Sequence, residues 1–217
     1  GVLFGELAAF RASDVTRMLS WSSIAQLGLV FIAFSIDGKA GMLAGLAVAL
    51  HHLIAKPALF LIAERWGGNL YNLYGVARSS PVMAALFVMI ALSMVGVPPL
   101  PGFWAKFLLL SGLAGEAGNL AYLAIAIVLS MTVIEAHYLF RVVNIMYDSQ
   151  QENGTTTVHR MGDVFSASLL GIVLLLSTFY IQDVGRTLGD IAGEAIDSEA
   201  YQQTVLPGNA LKLGGDT

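Results

Sequence analysis

The sequence predicts an all-α, polytopic transmembrane helical bundle containing one broken helix, and three observations carry that prediction. Of 217 residues, 56% are hydrophobic and 12% charged, whereas a soluble domain carries about 25% charged residues to build a polar exterior. Mean hydropathy is +0.72, and apolar stretches of roughly 20 residues, enough to cross about 30 Å of hydrocarbon as helix, recur along most of the chain. Finally, Pro98, Pro99 and Pro101 fall between Gly96 and Gly102, and three prolines in four residues must interrupt a helix. Helix is the expected form of every span because hydrocarbon offers no water to unpaired backbone groups. The 23 glycines suit close helix packing.

Taken in order, residues 1–10 read as the apolar tail of a helix whose beginning lies upstream, without the basic region and cleavage site of a signal peptide. Spans follow at about 15–36, 40–63, 80–113 with a break at 98–102, 120–147 and 164–181. Residues 67–79 read as a loop from turn residues such as Gly67-Gly68-Asn69. Residues 148–163 read as a second loop, because Gln150-Gln151-Glu152-Asn153-Gly154 and the threonines after it have no apolar periodicity. The bundle thus covers 1–182. The remainder, 183–217, is an acidic tail in which Val184, Leu188, Ile191 and Ala195 recur at helical spacing, as in an amphipathic helix lying on the protein or the interface. No internal repeat is evident, and a half-repeat partner is expected upstream.

If the spans alternate, one side holds Arg11, Arg17, Arg65, Arg78, Arg141 and Arg160, and the other Lys39, Arg186 and Lys212. Six against three places the first group in the cytoplasm and the C-terminus outside.

Two lysines lie inside apolar runs, and an ionisable residue at membrane depth is a candidate functional site by default. His52 and Lys56, four residues apart, share a helical face, while His51 points about 100° away. Pro57 removes an N–H and clashes with the Leu53 carbonyl, so a kink beside Lys56 is expected. In a dry interior the neutral amine is favoured, and a nearby anion or water restores the ammonium, so such a group can alternate between the two forms. Histidine, with two nitrogens, can take a proton on one and release it from the other. The bland reading is a snorkelling or statically paired Lys56 and a packing His52. Lys106 follows the proline break, and interrupted backbone at membrane depth belongs in protein or a water-lined cavity. Its bland reading is an interfacial anchor at a surface turn.

Glu135 and His137 sit two apart in the fourth span, hence on different faces. Glu135 is either the counter-charge of a lysine or a contact to a neighbouring subunit or polar crevice. Arg141 reads as a cytoplasmic anchor. Ser22 and Ser23 read as bonding their own helix backbone, because no Gly-x-Ser-x-Gly elbow accompanies them. The chain has no cysteine, which excludes disulfides, thiolate metal sites and cysteine nucleophiles. No basic patch offers a surface to nucleic acid, and no nucleotide loop, flavin fingerprint or iron–sulfur cysteine set is present.

Three blocks carry a resemblance: Asp14-Val15-Thr16-Arg17-Met18-Leu19-Ser20-Trp21-Ser22-Ser23-Ile24-Ala25-Gln26-Leu27-Gly28, then His52-Leu53-Ile54-Ala55-Lys56-Pro57-Ala58-Leu59-Phe60, then Gly96-Val97-Pro98-Pro99-Leu100-Pro101-Gly102-Phe103-Trp104-Ala105-Lys106-Phe107. Together they resemble the second half of the antiporter-like proton-translocating subunits shared by respiratory complex I, membrane-bound hydrogenases and Mrp-type sodium/proton antiporters. The resemblance implies an inverted-repeat fold of two five-helix units, each with a broken helix, around a hydrated polar axis. It implies that Lys106 is the exit-side proton carrier and that Lys56 and His52 are the connecting pair between two half-channels. Glu135, His137 and Arg17 are then candidate charge partners. One departure stands out: where many members have Asp-hydrophobic-Lys-Arg, this chain has Thr16 in place of the lysine, leaving Arg17 or Lys56 to supply that charge. Asp197-Ser198-Glu199-Ala200-Tyr201 and Lys56-Pro57 look most like the Mrp D-type subunit, and His137-Tyr138-Leu139-Phe140-Arg141-Val142-Val143 like the complex I N-type.

The function implied is relay of protons within a multisubunit membrane complex whose other subunits supply the driving reaction, and the sequence leaves open whether sodium moves as well. No cofactor is expected in this chain, and no enzymatic activity by itself. The rival readings are a non-conducting structural subunit of the same membrane arm and, more remotely, an intramembrane hydrolase with a serine–histidine pair.

Overall fold

In the computed structural model, which describes residues 1–148 and 161–196, every regular element is helical, and one isolated bridge pairs Asp14 with Asn69. The elements are α1 (Val2–Arg11), α2 (Val15–Phe34), α3 (Gly38–Arg65), a 3-10 turn (Leu70–Leu73), α4 (Val76–Ser79), α5 (Pro81–Val95), α6 (Pro101–Gly115), α7 (Asn119–Tyr147), α8 (Met161–Phe179) and α9 (Ile181–Ile196). Helices α2, α3 and α7 are each long and apolar enough to cross a bilayer. Phe31, Leu53 and Val133 project from them at 69–74% exposure, as side chains facing lipid do.

The third expected span is two 15-residue helices, α5 and α6, each about 22 Å long and so short of the hydrocarbon thickness alone. Gly96 ends α5 in the left-handed conformation, φ 93°, with its own N–H and that of Val97 returned to Leu92 O, the closing pattern that glycine permits at a helix C-terminus. Pro101 then opens α6, where its missing N–H costs nothing.

Helix α3 runs as one element from Gly38 to Arg65 with Pro57 inside it. One expectation changes in detail. The last span stops at Phe179, and the chain turns 88° into α9, so the apolar run to 181 is shared between a span and the start of the next helix. Helix α9 packs mainly against α3. Its buried positions are Gly189 and Ala192, with Val184 and Leu188 half-buried and Ile191 and Ala195 exposed. Gly189 and Gly193 lie on this face, within ordinary contact distance of the Lys39 side chain. Residues 149–160 of the second loop, Arg160 among them, Lys212 and the 197–201 segment lie outside the described residues, and 161–163 belong to α8.

Helix α3 is the hub, touching α2, α5, α6, α8 and α9, while α7 closes the other side against α1, α2, α5 and α6. The apolar interior falls into two clusters. One gathers Met18, Leu59, Ile62, Phe87, Tyr138 and Val142 towards the end with the Arg11–Ser13 turn, and the other gathers Leu29, Ala33, Val48, Leu109 and Val128 towards the opposite end. Between them, near the midpoints of α2, α3 and α7, the helices bring in buried polar groups.

Candidate functional site

The polar layer is built from two helix stripes. Ser22 and Gln26 are four apart on α2, and Thr132, Glu135 and Tyr138 follow at intervals of three on α7, so each set lies along one face. The stripes meet where Gln26 Nε2 donates to Glu135 Oε1 at 2.8 Å and the Tyr138 hydroxyl donates to Ser22 Oγ at 2.8 Å. Ser22, Gln26, Glu135 and Tyr138 are all buried, and satisfied partners are what a dry site demands of such groups.

Each lysine joins the layer from a third helix. Lys106, on α6, donates to Glu135 Oε2 at 2.6 Å, to Thr132 Oγ1 at 3.3 Å and to Val95 O at 3.3 Å. The last contact explains the proline break: ending α5 at Val95 exposes a carbonyl at the negative end of the helix dipole, where an ammonium is favoured. Lys56, on α3, is 3% exposed and donates to Ser22 Oγ at 2.6 Å. Its partner is thus a hydroxyl of α2 and not a carbonyl loosened by Pro57. Ser22 receives both Lys56 and Tyr138, and Glu135 receives both Lys106 and Gln26, so the layer holds two hydrogen-bonded groups side by side on α2 and α7, one around each amine.

The break has its own support. Gly102 N–H donates to Ser93 Oγ at 3.2 Å, and His51 Nε2 lies 2.9 Å from the same hydroxyl. A Cβ on Gly102 would drive into the Ser93 carbonyl, so only glycine lets the first turn of α6 close on the last turn of α5. His51 and Ser93 together take the place of the side-chain cap that Leu100 lacks.

Of the six residues expected from sequence, Lys56, Lys106 and Glu135 are brought together. His52 is half-buried beside Lys56, and its Nδ1 makes no hydrogen bond. His137 lies away from the layer, its ring against Phe10 at 5.2 Å between centroids. Arg17 is exposed in the first turn of α2, where its N–H is capped by Asp14 Oδ1 at 2.8 Å. Thr16 belongs to that same turn, beside Gly68, six residues or about 9 Å along the helix from Ser22. Ser23 bonds back to Leu19 O at 2.9 Å as expected, but Ser22 does not.

In the sequence, Gln26, Tyr138 and Glu6 do not stand out as site residues, Ser22 reads as bonding its own helix backbone, and His51 reads as facing away from Lys56. For Gln26 and Tyr138 the signal was helical spacing, four from Ser22 and three from Glu135. For Glu6 it was the signal already used for the lysines, an ionisable residue within an apolar run.

A family model described as NADH:quinone oxidoreductase/Mrp antiporter, TM, matches residues 1–134, which is more than half of the chain. The chain belongs to this family. The NADH:quinone oxidoreductase/Mrp antiporter match takes in α1 to α6 and most of α7, and therefore Glu6, Ser22, Gln26, Lys56, Ser93 and Lys106. It stops one residue before Glu135. Among relatives, NADH-quinone oxidoreductase subunit N of Desulforudis audaxviator is 34% identical over 152 residues, 68% of this chain and 30% of the relative. The subunit N of Neisseria gonorrhoeae is 31% identical over 181 residues, 81% of this chain and 36% of the relative. The chain therefore spans about a third of the length of these relatives. Among solved structures, a chain of the membrane-bound sulfane sulfur reductase, an archaeal respiratory membrane complex, superposes with a TM-score of 0.82 at 26% identity, over 94% of this chain and 42% of that one. A chain of the Mrp complex from Dietzia sp. DQ12-45-1b gives 0.81 at 21% identity, over 94% and 47%, a likeness of fold.

Proposed function

We propose that this chain is part of a proton-translocating membrane subunit of a multisubunit cation/proton antiporter or redox-driven pump, and that Lys56 and Lys106 carry the proton across its middle. The observation behind this reading is the buried Lys106–Glu135 pair, with a second buried amine, Lys56, held by Ser22 in the same polar layer.

Glu135 stands between two amines and makes its direct ion pair with one of them. Two ammonium groups in one dry layer oppose each other, so loss of a proton from one favours its gain by the other. Hydroxyls, which both donate and accept, adjoin each amine, Ser22 at Lys56 and Thr132 at Lys106. His52 is kept as the group that exchanges protons with Lys56 from the side away from Ser22. Driving such a charge across the membrane takes about 2.3 kcal/mol per 100 mV, so partner membrane subunits must supply the coupling.

The protein is then a multi-pass component of a cell (inner/plasma) membrane with the Arg11, Arg65 and Arg141 end in the cytoplasm and the segment after α8 outside. Support comes from the Arg141 guanidinium, which donates to Ala12 O at 2.8 Å and so ties the basic ends of α1 and α7 together.

The test is proton flux, with and without sodium, into vesicles containing the whole complex, wild type against Lys106→Ala. Loss of flux with an assembled complex is expected. Unchanged flux would end the proposed role of Lys106 and favour a purely structural subunit.

A further inference from the structure

Glu6 is an acid that the proposed relay does not use. It projects from α1 into the interior at 2% exposure, and its Oε2 makes no hydrogen bond. Its burial is built in by the residue before it. A Cβ on Gly5 would come within 2.7 Å of Ala25 N and 2.8 Å of Trp21 O, so glycine alone lets α1 lie this close to α2. Gly28, three residues or just under one turn beyond Ala25, repeats the device, since a Cβ there would meet the Val2 backbone at 2.9 Å. The intimate α1–α2 contact that results carries the next side chain, Glu6, inward.

The groups that face Glu6 come from three other helices: Tyr138 and Glu135 from α7, Lys56 from α3 and, further off, Lys106 from α6. Tyr138 connects the two, since its hydroxyl, which donates to Ser22 Oγ at 2.8 Å, also stands beside the Glu6 carboxyl. The charges then balance. Lys106 has Glu135 as its direct partner, whereas the only direct partner of Lys56 described is an uncharged hydroxyl. A second carboxyl within range of Lys56 is what a second buried ammonium calls for.

Resting on the relay reading above, we infer that Glu6 is a further proton-carrying residue, exchanging a proton with Lys56 through the hydroxyls of Ser22 and Tyr138. In the exchange, the Tyr138 hydroxyl turns from Ser22 to donate to Glu6 and Ser22 turns to donate to Tyr138; the Lys56 ammonium then gives a proton to Ser22 Oγ as Ser22 gives its own to Tyr138 and Tyr138 gives its own to Glu6. An ammonium and a carboxylate become an amine and a carboxylic acid, with no net charge moved out of the layer. Both hydroxyls carry one donor and two acceptor sites and rotate, so the same path runs in reverse once they turn.

The experiment uses the assembled complex in vesicles with Glu6→Gln, which keeps size and polarity but holds no exchangeable acid, Glu6→Asp, which restores the acid, and Lys106→Ala as reference. Glu6→Gln is expected to lower proton flux by about a hundredfold, the low end of what a positioned proton-transfer group contributes, with Glu6→Asp recovering part of it. Infrared difference spectra of wild-type complex taken between acid and alkaline media should contain a carboxylic acid C=O band that Glu6→Gln removes. Normal flux in an assembled Glu6→Gln complex would overturn the inference, as would a Glu6 band that never changes, and both could occur while Lys106→Ala still abolishes flux and leaves the relay standing. If Glu6→Gln fails to assemble, the Glu6→Asp flux and the wild-type band decide in the same way.

Discussion

Lys106 Nζ and Glu135 Oε2 are 2.6 Å apart, with side-chain exposures of 12% and 2%, and this pair is also what fastens the broken helix to its neighbour. The ammonium reaches back to Val95 O at the end of α5 and across to α7. One side chain therefore satisfies the interrupted backbone and carries the charge of the site.

Removing either partner leaves the other charged and buried. Glu135→Gln and Lys106→Met should each destabilise the protein by about 3–5 kcal/mol, and the double variant by clearly less than the sum. Unfolding of the detergent-solubilised protein, followed by circular dichroism, measures all three, and additive losses would contradict a direct pair.

Gly102→Ala tests the close approach at the break. An added methyl has nowhere to go against the Ser93 backbone carbonyl, so a loss of about 1–3 kcal/mol is expected from forced displacement. The neighbouring Ser93→Ala should cost about 1–3 kcal/mol by stranding Gly102 N–H and His51. The same unfolding assay reads both.

How far the sequence discloses this site follows from what kind of signal each residue gives. A lysine in an apolar run is conspicuous because charge is so costly there, and three prolines announce a break wherever they occur. Periodicity accordingly locates α2, α3, α7 and the α5–α6 interruption within a few residues. Ser22, Gln26 and Tyr138 give no such signal, since each is ordinary on a membrane helix and becomes part of the site only when α2 and α7 meet face to face. Arg17 and Thr16 show the converse. Their motif suggests a place on the axis, but the Asp14 cap and the Val15 N–H bond to Gly68 O at 2.7 Å fix them at the helix entrance. On α9 the spacing of Val184, Leu188, Ile191 and Ala195 discloses an amphipathic helix, but not that Gly189 and Ala192 are its buried positions.

Thr16→Lys follows from that placement. A lysine restored at position 16 enters the first turn of α2 and not the buried layer, so proton flux should stay at the wild-type level. A marked rise in flux would mean that the position communicates with Lys56 after all.

Tyr138→Phe removes one hydroxyl and keeps the ring in its packed place. Assembly should be normal, the stability loss about 1 kcal/mol, and proton flux strongly reduced. Flux equal to wild type would show that the connection from α7 to Ser22 is structural only.

The central claim is that the amine of Lys106 gives up and regains a proton, as distinct from serving as a fixed positive charge. Lys106→Arg separates the two, since guanidinium keeps the charge and the capacity to pair Glu135 but does not deprotonate in proteins. Proton flux in vesicles of the assembled Lys106→Arg complex should fall to the level of Lys106→Ala, while flux close to wild type would contradict a proton-carrying Lys106.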